Sequence, residues 1–409
     1  MTVVPDGWML YTPHDIAGLA KGALVIGPFG SDLKTSDYRD EGVPLVFVKD
    51  IRAEDFSRPR AHVSTAKAAE LEAHQVLPGD ILITKMGDPP GDVALYDSDV
   101  PGIITADCIR LRPTGGFDRK YLVHSLRTLS ARRQIDAITT GAAQKKVSLD
   151  RFRTRLHISA PPLAEQKRIA AVLDQVDVLR TRRREAIALL DDLARPIFLD
   201  MFGNPATNPK GLGIGRVGDL LESSTYGTSA KADAEGEVPV LRMNNVTVAG
   251  DIDMRHLKYL PGPSVPDRHM VRAGDVLFNR TNSAELVGKT AIYRRSESVA
   301  YAGYLVRLRV SRDHDPEYLA AFLNSGYAKR VLRSMCKSIV GMANINAKEV
   351  QGIRIPIPSL VEQKRFAAAI TAIEAAKVPH RAHLATLDEL FTSLQQRAFS
   401  GRLWEHEAA

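Results

Sequence analysis

The chain has 409 residues, 44% of them hydrophobic and 25% charged, which suits two or three ordinary globular domains. A formal net charge of +7 favours a polyanionic partner. Two distant cysteines, Cys108 and Cys336, without CxxC neighbours argue against a disulfide framework or a cysteine zinc site, and no apolar run reaches the roughly 18 residues of a membrane span. The N-terminus has no basic stretch followed by an apolar one, so no membrane association is expected and the protein is expected in the cytoplasm.

Residues 1–160 are short apolar runs cut by Gly, Pro and Asp. Strands are expected at Val43–Val48, Asp80–Thr84 and Ile103–Leu111, and a short helix at Lys120–Asp136. A glycine-free run over 161–202 then predicts a long helix from about Glu165 to Arg195. Ile169, Val172, Val176, Leu179, Ala186, Leu190, Leu193 and Ile197 follow alternating three- and four-residue steps, broken at Arg183, which describes a heptad seam. Residues 203–357 return to the first texture, with strands expected at Val276–Phe278 and Tyr304–Val310 and a helix at Pro316–Ser334. The last stretch, 358–409, carries Phe366, Ala369, Ile373, Ala376, Leu387, Leu390 and Leu394 on a second helix. Pro379 lies in its middle, so a break is expected near Val378–His380, with Glu362–Lys377 and 382–399 as separate pieces.

The chain is written twice. Pro161-Pro-Leu-Ala-Glu-Gln-Lys-Arg-Ile169 returns as Pro358-Ser-Leu-Val-Glu-Gln-Lys-Arg-Phe366, shifted by 197. Five further pairs keep the order: Val43–Val46 with Val238–Leu241, Gly79–Leu82 with Gly274–Leu277, Gly91–Tyr96 with Gly288–Tyr293, Arg110–Arg112 with Arg307–Arg309, and Tyr121-Leu122 with Tyr318-Leu319. Each half is therefore one structural unit.

The doubled Pro-x-Leu-x-Glu-Gln-Lys-Arg boundary resembles that of the specificity subunits of type I restriction-modification systems. So do Gly27-Pro-Phe-Gly-Ser-Asp-Leu-Lys34, Met201-Phe-Gly-Asn-Pro205 and Gln396-Arg-Ala-Phe-Ser-Gly-Arg-Leu403. The resemblance covers essentially the whole chain. It implies an α+β fold of two tandem target-recognition domains, each followed by a long helix, with the helices packed as an antiparallel coiled coil of pseudo-twofold symmetry. It also implies a non-catalytic subunit without a cofactor, with double-stranded DNA, two methyltransferase subunits and restriction-translocase subunits as partners. A helix of the expected length spans roughly 45 Å, enough to hold two domains over half-sites about one 34–36 Å duplex turn apart. Because the two domain sequences differ, the half-sites should differ.

Fragments of catalytic motifs fail on context. Gly213-Ile-Gly-Arg-Val-Gly218 spells GxGxxG but follows a loop-like segment instead of a strand, and is expected to be a loop. Gly288-Lys-Thr290 is the tail of a P-loop without its first glycine, expected as a turn before a strand. Asp88-Pro-Pro-Gly91 lacks the aromatic residue that stacks on a flipped base. The eleven histidines include no HExxH, and no metal site is expected.

DNA contacts are expected from the turns after matched strands: Lys85 in the first half, and Arg280, Thr281, Asn282 and Ser283 in the second. Lys49 and Arg52, and their counterparts Arg242, Asn244 and Asn245, follow another strand pair. Lys34 and Lys231 sit in Gly/Ser-rich loops. The basic runs Arg132-Arg133 and Lys145-Lys146 read as solvated surface, and Arg182-Arg-Arg184 as either surface or a track for unread duplex. Glu165, Gln166, Glu362 and Gln363, opening the two helices, read equally as caps or as docking residues for the methyltransferase partners that the resemblance implies. A freestanding DNA methyltransferase and a DNA-binding adaptor of another defence complex are the competing readings.

Overall fold

In the computed structural model, which describes residues 4–141, 144–262, 265–283, 285–339 and 342–404, the chain divides into two compact units. Unit 1 comprises Met1–Arg182 with Leu384–Ala409, and unit 2 comprises Arg183–His383. The division passes through both long helices, so each unit takes a part of each.

Unit 1 contains two four-stranded sheets. The first is antiparallel, in the order Leu24–Ile26, Cys108–Leu111, Ile81–Thr84, Val93–Leu95. The second runs His62–Val63, Val43–Val46, Gly102–Ile104, Gln75–Val76, and its middle pair is parallel. The strand Ile81–Thr84 is apolar on both faces because both are covered. Ile81 and Ile83 pack into a core with Tyr121, Leu122, Phe152 and Ile169, while Leu82 packs with Val46 and Ile104. The run expected as one strand at Ile103–Leu111 is two strands, because a turn at 105–107 carries the chain from one sheet to the other. Likewise the helix expected at Lys120–Asp136 is two, Arg119–Leu126 and Leu129–Ile138. Thr128 caps the second by accepting from the Ala131 amide.

Unit 2 repeats this topology strand for strand. Its antiparallel sheet runs Leu221–Tyr226, Leu305–Val310, Val276–Asn279, Thr290–Ile292, and its mixed sheet Lys258–Leu260, Val238–Leu241, Val299–Tyr301, Met270–Val271. Val276 and Phe278 face Tyr318 and Leu319, and Leu277 faces the mixed sheet. Ser325 splits the expected helix into Pro316–Asn324 and Gly326–Met335. Ion pairs to a buried aspartate recur too: Arg112 grips Asp80 through two nitrogens at 2.7 Å, and Arg309 grips Asp275 at 2.8 Å. Among the differences between the units is one volume. Val123, His124 and Phe391 of unit 1 correspond to Ala320, Ala321 and Ala194, which line a cavity of about 380 Å³ in unit 2.

The long helices are Leu163–Asp192, followed by Ala194–Phe202, and Leu360–Phe399. The expected break at Pro379 does not occur: the second helix runs through it. Pro379 and Ala375, whose carbonyl loses its donor, both face solvent, and the seam on either side stays packed. That seam is also rotated from the expected one. A line of buried or half-buried positions runs through 166, 169, 173, 176, 180, 183, 187, 190 and 194, and through 363, 366, 370, 373, 377, 380, 384, 387, 391, 394 and 398, while Val172, Ala186, Ile197 and Ala369 of the expected seam are half-buried beside it. Leu179 and Leu193 point outward, and Arg180 and Arg183 take the inward positions. In unit 1, Arg180 meets Asp388 at 2.6 Å and Arg168 lies over the Trp404 ring, so the two segments are antiparallel. In unit 2, Lys377 meets Asp191 at 2.7 Å and Phe366 packs on Phe202, again antiparallel. Among the described residues no helix is long and apolar enough to cross a membrane.

Candidate nucleic-acid interface

In both units a central strand of the antiparallel sheet is followed by a basic residue held by the same three contacts. The Lys85 amide donates to the Asp107 carbonyl at 2.7 Å, the Lys85 carbonyl accepts from Val147, and Nζ reaches the Ala106 carbonyl at 3.3 Å. The Arg280 amide donates to the Tyr304 carbonyl at 3.0 Å, its carbonyl accepts from Ile345, and Nη1 reaches the Gly303 carbonyl at 3.5 Å. A hairpin closes each ledge: Thr139–Thr140 with Lys146–Val147 in unit 1, and Lys337–Ile339 with Met342–Asn344 in unit 2. Thr281–Asn282 joins the second hairpin as a third strand, and Ser283 follows, its amide bound by Asn282 Oδ1. The Arg280 guanidinium lies over the Tyr226 ring, 5.0 Å from its centre. That contact holds the fork in place before any ligand arrives.

A glycine brings another loop onto each ledge. A Cβ on Gly27 would stand 2.0 Å from the Thr105 carbonyl oxygen, and one on Gly227 would stand 2.3 Å from that of Tyr301, so only glycine fits. These loops lead to Lys34 and Lys231, both exposed. They also display Phe29, 68% exposed, and Tyr226, 44% exposed, with Tyr304 at 49% on the neighbouring turn. Sequence reading passed over these three aromatics, although a large ring inside or beside a Gly-rich loop is a signal it could have used. It also read Lys145-Lys146 as plain surface. Both are exposed, as expected, and they border the ledge: Lys146 pairs with Met86 beside Lys85, and Lys145 meets Asp88 at 2.7 Å.

The second expected cluster is partly committed to the fold. Lys49 and Asn244 are exposed at corresponding positions. Arg52 is held by Asp92 at 2.7 Å, and Arg132 approaches the same carboxylate at 3.0 Å. Burial disfavours the charged form of Asp92, but hydrogen bonds from the two arginines outweigh it and hold the carboxyl below its ordinary range. Arg242 is half-buried and donates to the His256 carbonyl. Asn245 is a correction: it is buried, accepts from the Arg242 amide and donates to the Asp253 and Arg255 carbonyls. It shapes the turn, as Asp50 does by accepting from Phe47 in unit 1.

The helix-opening residues divide in the same way. Gln166 and Gln363 are buried and spent internally, which removes both from any docking surface. Each accepts from a domain amide, Asp118 or Asp315, at 2.9 Å and donates to the carbonyl of Pro161 or Pro358. Glu362 caps its helix, accepting from the amide and hydroxyl of Ser359, which lower its carboxyl below the usual value. Glu165 is half-buried, with Pro162 where Ser359 would correspond. Arg183 cannot track a duplex, because it lies in the seam with Nη1 3.2 Å from His380 Nδ1. Gly213–Arg216, expected as a loop, is a strand paired with Arg354–Ile357, and Gly288-Lys289 is the turn before Thr290–Ile292.

The family model for the type I restriction modification DNA specificity domain matches residues 34–189. The chain is 24% identical to the EcoKI specificity subunit of type I restriction enzyme from Escherichia coli K12, over 98% of this chain and 90% of that one. It is 22% identical to the EcoBI specificity subunit of Escherichia coli, over 98% and 87%. The fold is similar to the crystal structure of the S subunit of a type I restriction-modification system from M. genitalium, with a TM-score of 0.55, 14% identity and 96% of both chains covered.

Proposed function

Because the chain belongs to the specificity subunits of type I restriction-modification systems, we propose that it reads a two-part, asymmetric target in double-stranded DNA, one half per unit. Recognition of DNA sequence is its task, and it is a non-catalytic subunit. The observation that carries the two-part reading is the doubled ledge. Equivalent backbone contacts present Lys85 in one unit and Arg280 in the other, with Met86 against Thr281 and Asp107 against Tyr304. The same platform with different side chains suits two different half-sites. Lys34, Lys49, Lys85, Lys231, Asn244, Arg280, Thr281, Asn282 and Ser283 are the contacts this reading favours, with Phe29, Tyr226 and Tyr304 beside them.

In the same reading 1–160 and 203–357 are the recognition domains, and 161–202 and 358–409 form the helical frame. Two methyltransferase subunits and the restriction-translocase subunits assemble on this frame in the cytoplasm. Exchange of residues 203–357 for the matching domain of a relative tests it, with the methylated target mapped in cells. One half of the target should change and the other persist; a change of both halves together would overturn one-half-per-unit recognition.

A further inference from the structure

The turn Gly288-Lys289 brings a lysine beside a second, mostly buried one. Lys289 Nζ donates to the Met243 carbonyl at 2.8 Å, and Lys329 Nζ donates to Asn324 Oδ1 at 3.0 Å and to the Gly288 carbonyl. Neither has a carboxylate partner among the described residues. Arg333, exposed one helical turn beyond Lys329, has none there either. Burial, with Arg333 and Lys289 nearby, pushes the Lys329 ammonium down to about 8, and burial lowers Lys289 as well. Placing cations together in a partly desolvated nook, on neutral oxygens alone, is costly unless an anion joins them.

The fold does not require cations at these positions. The corresponding residues of unit 1 are Asp92, Arg132 and Asp136, and there Asp92 and Arg132 form an ion pair. Unit 2 has exchanged two acids and an arginine for two lysines and an arginine. The nook adjoins the candidate contacts: Lys289 holds the loop that carries Arg242 and Asn244, and the segment 280–283 leads into Gly288.

We propose that Lys289, Lys329 and Arg333 form a phosphate-binding site peculiar to unit 2, which holds one backbone phosphate beside the half-site that unit 2 reads. The site rests on the DNA-recognition reading above. A phosphate oxyanion is common to the DNA backbone and to free phosphate, and the experiment separates the two.

Binding of the full chain to its mapped target duplex and to a scrambled duplex is measured across a salt series, for wild type and for Lys289→Gln, Lys329→Gln and Arg333→Gln. Each variant should weaken binding to both duplexes by the same factor and flatten the slope of log affinity against log salt by about one unit. Neutral methylphosphonates, placed singly along the second half-site, should weaken wild type at one position to which Lys329→Gln is indifferent. If Lys329→Gln lowers thermal stability, Arg333→Gln carries the test, since that side chain is exposed. Unchanged slopes in all three variants, with wild type still selecting its target, would overturn the site alone. Inorganic phosphate raising the melting temperature of wild type but not of the variants, with DNA slopes unchanged, would reassign it to free phosphate and overturn the backbone contact. If wild type fails to distinguish the two duplexes, the recognition reading falls and this site with it.

Discussion

Arg280 and Gln363 show how a single side chain divides between fold and function. Arg280 is anchored on Tyr226 with Nη1 on a carbonyl, and Nη2 has no partner among the described residues. Arg280→Ala should cost about 1–3 kcal/mol of specific binding and relax one base position if the fork reads a guanine. Arg280→Lys should not restore it, because an ammonium neither stacks flat nor donates as a fork. Competition binding against single-base target variants decides this, and an even loss across all sequences would assign Arg280 to phosphate. Gln363 works inward. Gln363→Ala and Gln166→Ala should each destabilise by about 1–3 kcal/mol, since each orphans a buried amide and a carbonyl. Urea unfolding followed by unit-specific probes measures it; unchanged stability with lost subunit assembly would return these glutamines to a docking role.

The elements were largely legible before the structure, and their misreadings share a cause. The duplication was visible because buried supports recur in the same order at offsets of 195 and 197, and most apolar runs are strands where expected. The helices near 120–136 and 316–334 were read as single because Thr128 and Ser325 act as caps, which apolar periodicity does not register. The seam was misplaced for a related reason. Its central positions are Arg180, Arg183, Lys377 and His380, and a search for apolar residues turns to Leu179 instead. In the ledges, basic residues at strand ends were found from the repeat. The aromatics were not, because the repeat places Ile26 opposite Tyr226 and Asp107 opposite Tyr304. The helical frame proposed above carries one further expectation. Four residues inserted near Ala188 lengthen the helix by about 6 Å, so the gap between half-sites should grow by one or two base pairs of about 3.4 Å. Insertions of three or five residues should do worse, because they turn the seam further. Methylation mapping reads the gap, and an unchanged gap with full activity would show that the helices do not set it.

Across the whole molecule, one topology carries two electrostatic designs. In unit 1, Asp92 and Asp174 are partly buried, yet hydrogen bonds from Arg52 and Arg132, and from His124 and Lys120, bring both below the ordinary 3.8. Their contribution to stability is present above that value and lost as pH falls through the lowered one. In unit 2, burial raises Asp251 and Glu317, so these two favour folding in acid and lose that advantage as pH rises through their raised values. Asp253 and Glu362 of unit 2 are lowered too, by hydrogen bonds from Arg255 and Ser359, but Asp251 and Glu317 oppose them; as pH falls below about 3.8, unit 1 should therefore loosen before unit 2. Hydrogen exchange should show protection falling first at Ile81–Thr84 and later at Val276–Asn279; simultaneous loss would mean that other groups govern acid unfolding.

The charged middle of the seam has a consequence for register. Arg180 with Asp388 and Lys377 with Asp191 sit at positions whose residue numbers add to the same total, as antiparallel partners must. Slide one helix by a heptad in one direction, and Lys377 arrives opposite Arg184 and Arg180 opposite Arg381, cation against cation. Slide it the other way, and Lys377 faces Phe198 while Arg180 faces Gln395, so each loses its carboxylate across the seam and keeps only the one on its own helix, Glu374 or Asp177. An all-leucine seam would tolerate either slip at small cost, whereas here both errors are penalised in two places at once. The charges thus act as the teeth of a key, admitting the helices at a single depth of insertion.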